Sequence, residues 1–141
     1  MVVVVDAEEM ILGRLASYVA KQLLTGESVV VVNAEKAVIT GKPTSVFKRF
    51  EDRRDLVGPM RQSKGPFHPR MPDRIVRRTI RGMLPYKKSS GRDAFKRCMV
   101  YIGVPNEFKS SDKVVLDART DLPRSNYVYV GEVAKYLGAK F

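Results

Sequence analysis

The chain has 141 residues with 26 Lys and Arg against 15 Asp and Glu, a formal net charge of +11. That length predicts one domain over 1–141 with a real core, and a composition 44% hydrophobic and 29% charged excludes disordered and collagen-like classes. A single cysteine, Cys98, and a single histidine, His68, exclude an intramolecular disulfide and a closed Cys/His zinc site.

The elements read as follows along the chain. Four valines at 2–5 predict a strand, and Asp6 suits a cap or turn. Leu12, Leu15, Val19 and Leu23 recur at helical spacing, and Gly26 is a stop. Gly13 weakens that helix in isolation, so close packing is expected there. Valines at 29–32 predict a second strand. Valine at every position reads as burial on both faces, as in a parallel sheet covered by helices. Strand, helix and strand make a βαβ unit.

Positions 38–41 read as the approach to a turn. Pro43 opens a second helix with Val46, Phe47, Phe50 and Val57 on its apolar side. The stretch 58–72 holds six Gly and Pro and no periodicity, so it reads as a long functional loop. Positions 72–83 predict a helix. Arg74, Arg77, Arg78 and Arg81 fall within an arc of roughly 100°, with Val76, Ile80 and Met83 opposite. The arginines are expected outward and the apolar side on the core. Positions 84–92 read as a second basic loop, 93–97 as a short helix, 99–104 and 113–116 as strands, 120–126 as a loop and 130–137 as a last helix. No basic leader, and no apolar run near the ~20 residues a membrane span needs, is present; a soluble cytoplasmic protein is expected.

The charge is localised. Positions 42–97 hold 17 Lys and Arg against 5 Asp and Glu, a net of +12, so the rest of the chain is near neutral. Such asymmetry points to nucleic acid or an anionic surface. The plain alternative is a solvent face with salt bridges, but Asp73 is the one acidic residue within the arginine helix. Like charges at i,i+4 cost stability, which an external anion offsets. The candidate RNA-binding residues are Lys48, Arg49, Arg53, Arg54, Arg61, Lys64, His68, Arg70, Arg74, Arg77, Arg78, Arg81, Lys87, Lys88 and Arg92. Arg and Lys neutralise phosphates, and Arg does so bidentately. Phe67 and Tyr86 fit either stacking on unpaired bases or local packing. His68 fits a phosphate donor, a stacking ring or loop packing. Charge reversal at Arg77 and Arg78 is expected to weaken RNA binding and leave the fold intact.

Catalytic patterns are missing. A phosphate loop ending at Gly41-Lys42 needs Gly at 36 and Ser or Thr at 43, where Lys36 and Pro43 stand. G-x-G-x-x-G is absent, and Cys98 reads as a small buried apolar residue. No catalytic residue, metal or cofactor is expected. An α/β nucleotide-binding enzyme is therefore the weaker alternative, and an RNA-binding regulator stays open.

Ile80-Arg81-Gly82-Met83-Leu84-Pro85, Ser90-Gly91-Arg92 and Val100-Tyr101-Ile102-Gly103 resemble the signature of the ribosomal protein uL13 (L13) family of the large subunit. Asp6-Ala7, Leu12-Gly13-Arg14-Leu15-Ala16-Ser17 and Val32-Asn33-Ala34-Glu35 are similar to its start. The loop Gly65-Pro66-Phe67-His68-Pro69-Arg70 resembles the archaeal and eukaryotic branch. With no long extension after Phe141, an archaeal-type member is expected. The resemblance implies a three-layer α/β/α fold with a mainly parallel sheet of about four strands. It also implies a non-enzymatic structural constituent of the large ribosomal subunit, in the cytoplasm, that binds large-subunit rRNA and supports assembly. The implied partners are that rRNA and neighbouring ribosomal proteins, with no membrane and no small-molecule substrate. Arg81, Lys87, Lys88 and Arg92, in or beside the signature, are implied at RNA.

Overall fold

Strand β1 (Val2–Asp6) leads to helix α1 (Leu12–Leu24), strand β2 (Ser28–Val32) and strand β3 (Val38–Thr40). Helices α2 (Pro43–Asp55), α3 (Pro72–Gly82) and α4 (Ser89–Lys96) follow. Strands β4 (Cys98–Val100), β5 (Lys113–Val114) and β6 (Tyr127–Tyr129) precede helix α5 (Val130–Tyr136). This is a computed structural model, and it describes residues 1–56, 66–116 and 123–141.

The valine runs build the centre of a four-stranded sheet of order β4-β2-β1-β5, with every pairing parallel. The fold is therefore α/β with a mainly parallel sheet, as expected. Alternate valines face opposite ways. Val5, Val29 and Val31 join the main core with Leu15, Val19 and Leu23 of α1 and Val76 and Ile80 of α3. Val4, Val30 and Val32 face a second cluster closed by Tyr101, Val104 and Phe108. Both faces are thus covered, by helices on one side and by the 101–108 stretch with its short 3-10 turn on the other.

The polar residues at the ends of β1 and β2 are structural. Asn33 is buried in the left-handed region at φ 55°, and its Nδ2 donates to Asp6 Oδ1 at 2.9 Å. The same oxygen accepts the Glu8 N–H at 3.0 Å, so Asp6 does close the turn after β1. Glu35 Oε2 accepts the Gly103 N–H at 2.9 Å, where the chain leaves β4. Arg97, inside the basic segment, serves the scaffold: its Nη2 donates to Leu23 O at 2.7 Å near the C-terminal end of α1.

Several expectations need correction. The 38–41 stretch ends in a bend at Gly41, as read, and its residues 38–40 add strand β3, paired antiparallel with β6 in a separate two-stranded sheet. A Cβ added at Gly13 would meet nothing within 4 Å, so no close packing occurs there. Met83 is 42% exposed, because α3 ends at Gly82. Helix α4 starts four residues earlier than expected and takes in Ser89, Ser90, Gly91 and Arg92. A Cβ on Gly91 would lie 2.1 Å from Pro85 O, so glycine lets α4 dock on the turn before it. The third strand is shorter than 99–104, and the fourth covers only Lys113–Val114 of 113–116. Val57, positions 58–65 of the long loop and positions 120–122 of the later loop lie outside the described residues.

Candidate nucleic-acid interface

Helix α3 carries the densest charge. Proline at its first position fixes φ and gives up an N–H that no helix would use. Ile75, Val76 and Ile80 are buried and join the core, at about 1.5–3 kcal/mol for each side chain removed from water. That burial orients the rest. Arg74 and Arg81 are exposed, whereas Arg77 and Arg78 are half-buried.

Three of the four arginines make contacts within the chain. The Arg77 guanidinium lies 4.6 Å from the centre of the Phe95 ring, and its Nε is buried without a hydrogen-bond partner. The Arg81 guanidinium lies 5.1 Å from the Tyr86 ring, which packs edge-on against Phe95 at 5.6 Å. Arg78 Nη1 donates to Phe67 O and ties the 66–70 loop to the helix. Pro69, Arg74, Arg77, Arg78, Arg81 and Phe95 surround a shallow 200 Å³ depression. Arg77 and Arg78 each make an intramolecular contact, so reversing them would not report on RNA binding alone. Arg74 and Arg81 are the freer pair.

Helix α2 adds a second group. Val46 is buried, and Phe47 stacks on Tyr136 at 4.7 Å. Lys48, Arg49 and Arg53 are exposed, with Arg49 and Arg53 each 5.8 Å from the Phe50 ring. Arg54 is compensated by Asp55 at 3.1 Å and Glu51 at 3.9 Å. Among the described residues it is the one candidate in an ion pair. Arg70, Lys87, Lys88 and Arg92 are exposed, the last on α4 rather than in a loop. Arg61 and Lys64 lie outside the described residues.

Between α2 and α3 is a cleft of 370 Å³, lined by Phe50, Arg53, Arg54, His68, Arg70, Arg78 and others. Burial, with Arg78 and Arg53 nearby, holds the His68 imidazole below its ordinary value and so neutral at pH 7. Phe67 is 72% exposed and packs into no core, while Tyr86 is engaged with Arg81 and Phe95. Sequence reading placed Phe50 on the apolar side of α2, where it packs against the core, but missed Phe95. Phe95 lies on α4, so its approach to Arg77 exists only in three dimensions.

The groups a catalytic reading would use are otherwise occupied. Asp6, Asn33 and Glu35 bond one another or the backbone at the strand ends, where open parallel sheets usually bind ligands. Cys98 is buried, which pushes its thiol up to about 11. Among the described residues no three His, Cys, Asp or Glu are placed to hold a metal, and no helix is long and apolar enough to cross a membrane.

The α/β scaffold thus has its strand-end polar groups engaged and, among the described residues, cations outside ion pairs along two helices. The family model described as Ribosomal protein L13 matches residues 1–107. The chain is 46% identical over 140 residues to the large ribosomal subunit protein uL13 of Methanococcoides burtonii, covering 98% of this chain and 99% of that one. It is 49% identical over 142 residues to the protein of that name from Methanosarcina barkeri, covering 98% and 99%. Against the Archaeoglobus fulgidus protein identity is 49% over 142 residues, covering 96% and 86%. The chain belongs to the ribosomal protein L13 family, and its role is structural rather than enzymatic.

Proposed function

We propose that the chain acts as one domain that binds large-subunit rRNA through its basic segment 42–97 and supports assembly of that subunit in the cytoplasm, beside neighbouring ribosomal proteins. The observation that carries the reading is the arginine face of α3 with the cations of α2. Both helices lie in the segment 42–97, whose sequence carries a net +12, and among the described candidates only Arg54 has a carboxylate within 4.0 Å. Unpaired guanidinium groups on a rigid helix suit phosphate oxygens, bidentately where the fork reaches. The core supplies the rigidity: Ile75, Val76 and Ile80 leave α3 little freedom to turn.

The exposed pair Arg74 and Arg81 provides the test. Arg74→Glu/Arg81→Glu should retain wild-type circular dichroism and lose no more stability than the exposed Arg81–Tyr86 contact supplies, about 0.5–1 kcal/mol. Its affinity for purified large-subunit rRNA should fall, and for every phosphate no longer neutralised the salt dependence should flatten by about 0.7–0.9. Incorporation into large subunits should fall in parallel. Unchanged affinity, salt slope and incorporation would refute this assignment.

A further inference from the structure

The cleft between α2 and α3 is a concave site among the cations of both helices. Its 370 Å³ is near the low end for pockets that enclose a small ligand. Ile75 and Leu137 are buried apolar residues of its lining, and Phe50, His68 and Pro69 are ring-bearing residues around them. No carboxylate belongs to the lining. Arg53, Arg70 and Arg78 lie beside these rings, and among the described residues none is in an ion pair. Arg78 spends one donor on Phe67 O and retains the rest of its fork.

Gly82 is the second observation. It closes α3, where glycine weakens a helix. Its φ is ordinary, and a Cβ there would meet nothing within 4 Å. Neither backbone geometry nor packing inside the chain calls for a glycine at this place. It lines the cleft, where a Cβ would stand in open space.

We propose that this cleft receives one unpaired nucleotide of RNA, its base flipped in beside Phe50 and His68 over the Gly82 side of α3 and its phosphate held by Arg53, Arg70 and Arg78. The inference rests on the RNA-binding reading above and adds to it the form of RNA preferred. A base face stacks on aromatic rings and guanidinium planes whatever its identity, so the site selects an unstacked base rather than a sequence. The neutral imidazole of His68 offers one donor and one acceptor to a base edge.

The test compares two short RNA hairpins at one salt concentration, using the full chain. One carries a single bulged fluorescent adenine analogue, and the other is fully paired with the same analogue. The bulged hairpin should bind roughly 10-fold more tightly, with its fluorescence quenched by stacking. Gly82→Leu keeps every cation and adds a branched apolar side chain at the cleft wall. It should abolish the preference and the quenching while leaving affinity for the paired hairpin unchanged. Phe50→Ala, as a second variant, should weaken both effects. Equal affinity of the two hairpins, or a preference that survives both substitutions, overturns the inference while RNA binding stands. Binding of neither hairpin at low salt overturns the RNA-binding reading itself. Free adenosine monophosphate should not displace the bulged hairpin at comparable concentration. If it does, the cleft is a mononucleotide site and the inference falls.

Discussion

Gly91→Ala tests how the basic turn at 84–88 is held. The added Cβ would sit 2.1 Å from Pro85 O, 2.4 Å from Pro85 C and 3.0 Å from Tyr86 N. The Pro85 carbonyl cannot simply rotate away, because it accepts the Lys88 N–H at 2.9 Å. Helix α4 must therefore retreat by about 1 Å to restore van der Waals separation. Ala94 and Leu84, both buried, move with it or lose packing. Overpacking of this severity costs about 3 kcal/mol, and alanine returns about 1 kcal/mol of helix propensity. The expected net loss is about 2 kcal/mol. At roughly 4 °C per kcal/mol for this size, thermal unfolding should occur ~8 °C earlier. Gly13→Ala is the control. Nothing lies within 4 Å of a Cβ there, so the same substitution should raise stability by about 0.5–1 kcal/mol. Opposite signs from one chemical change isolate the close approach as the cause. If Gly91→Ala melts at or above the wild type, the docking of α4 is not what requires the glycine.

Other consequences are equally open to measurement. Val76→Asp puts an unpaired carboxylate at a fully buried position of α3 and should remove more than about 3 kcal/mol, leaving no cooperative unfolding transition near physiological temperature. His68 should titrate below 6.5 by NMR in the free protein, since burial and two arginines oppose its protonation. The unfolded chain then takes up that proton first, so stability should fall as the pH drops from 6.5 through the lowered value. RNA phosphate brought beside His68 should raise its titration point, and a titration unmoved by saturating RNA would place the bound RNA elsewhere. Cys98, raised to about 11 and buried, should resist iodoacetamide at pH 8 until the chain unfolds. Full labelling of the native protein would contradict that burial.

The parts legible in the sequence are those decided by local pattern. Valine at every position of β1 and β2 signals strands covered on both faces, and the 3.6-residue period of α1 and α3 carries through to the buried residues. What escapes depends on neighbours far along the chain. β3 is three residues long and exists because β6, nearly ninety residues later, pairs with it. Ser89-Ser90-Gly91 reads as part of a basic loop, yet it is helical, with Gly91 in close approach to Pro85. The helical arc of four arginines is visible in the sequence, but their unequal exposure is not. Phe95 and the Phe67 carbonyl, which engage Arg77 and Arg78, lie outside the helix and its period.

The pairing of β3 with β6 also bears on the order in which the molecule can form. Val130, Val133 and Ala134 of α5 are fully buried, and α5 packs against α3 and the Ala34–Lys36 turn. Leu137 closes one side of the cleft. During synthesis, β1, α1 and β2 emerge as a contiguous unit with short loops to close. The α5 side of α3, by contrast, is covered only after α5 has been made. Helix α3 is thus seated on α1 and β4, elements made before α5, and the Leu137 wall of the cleft is added later.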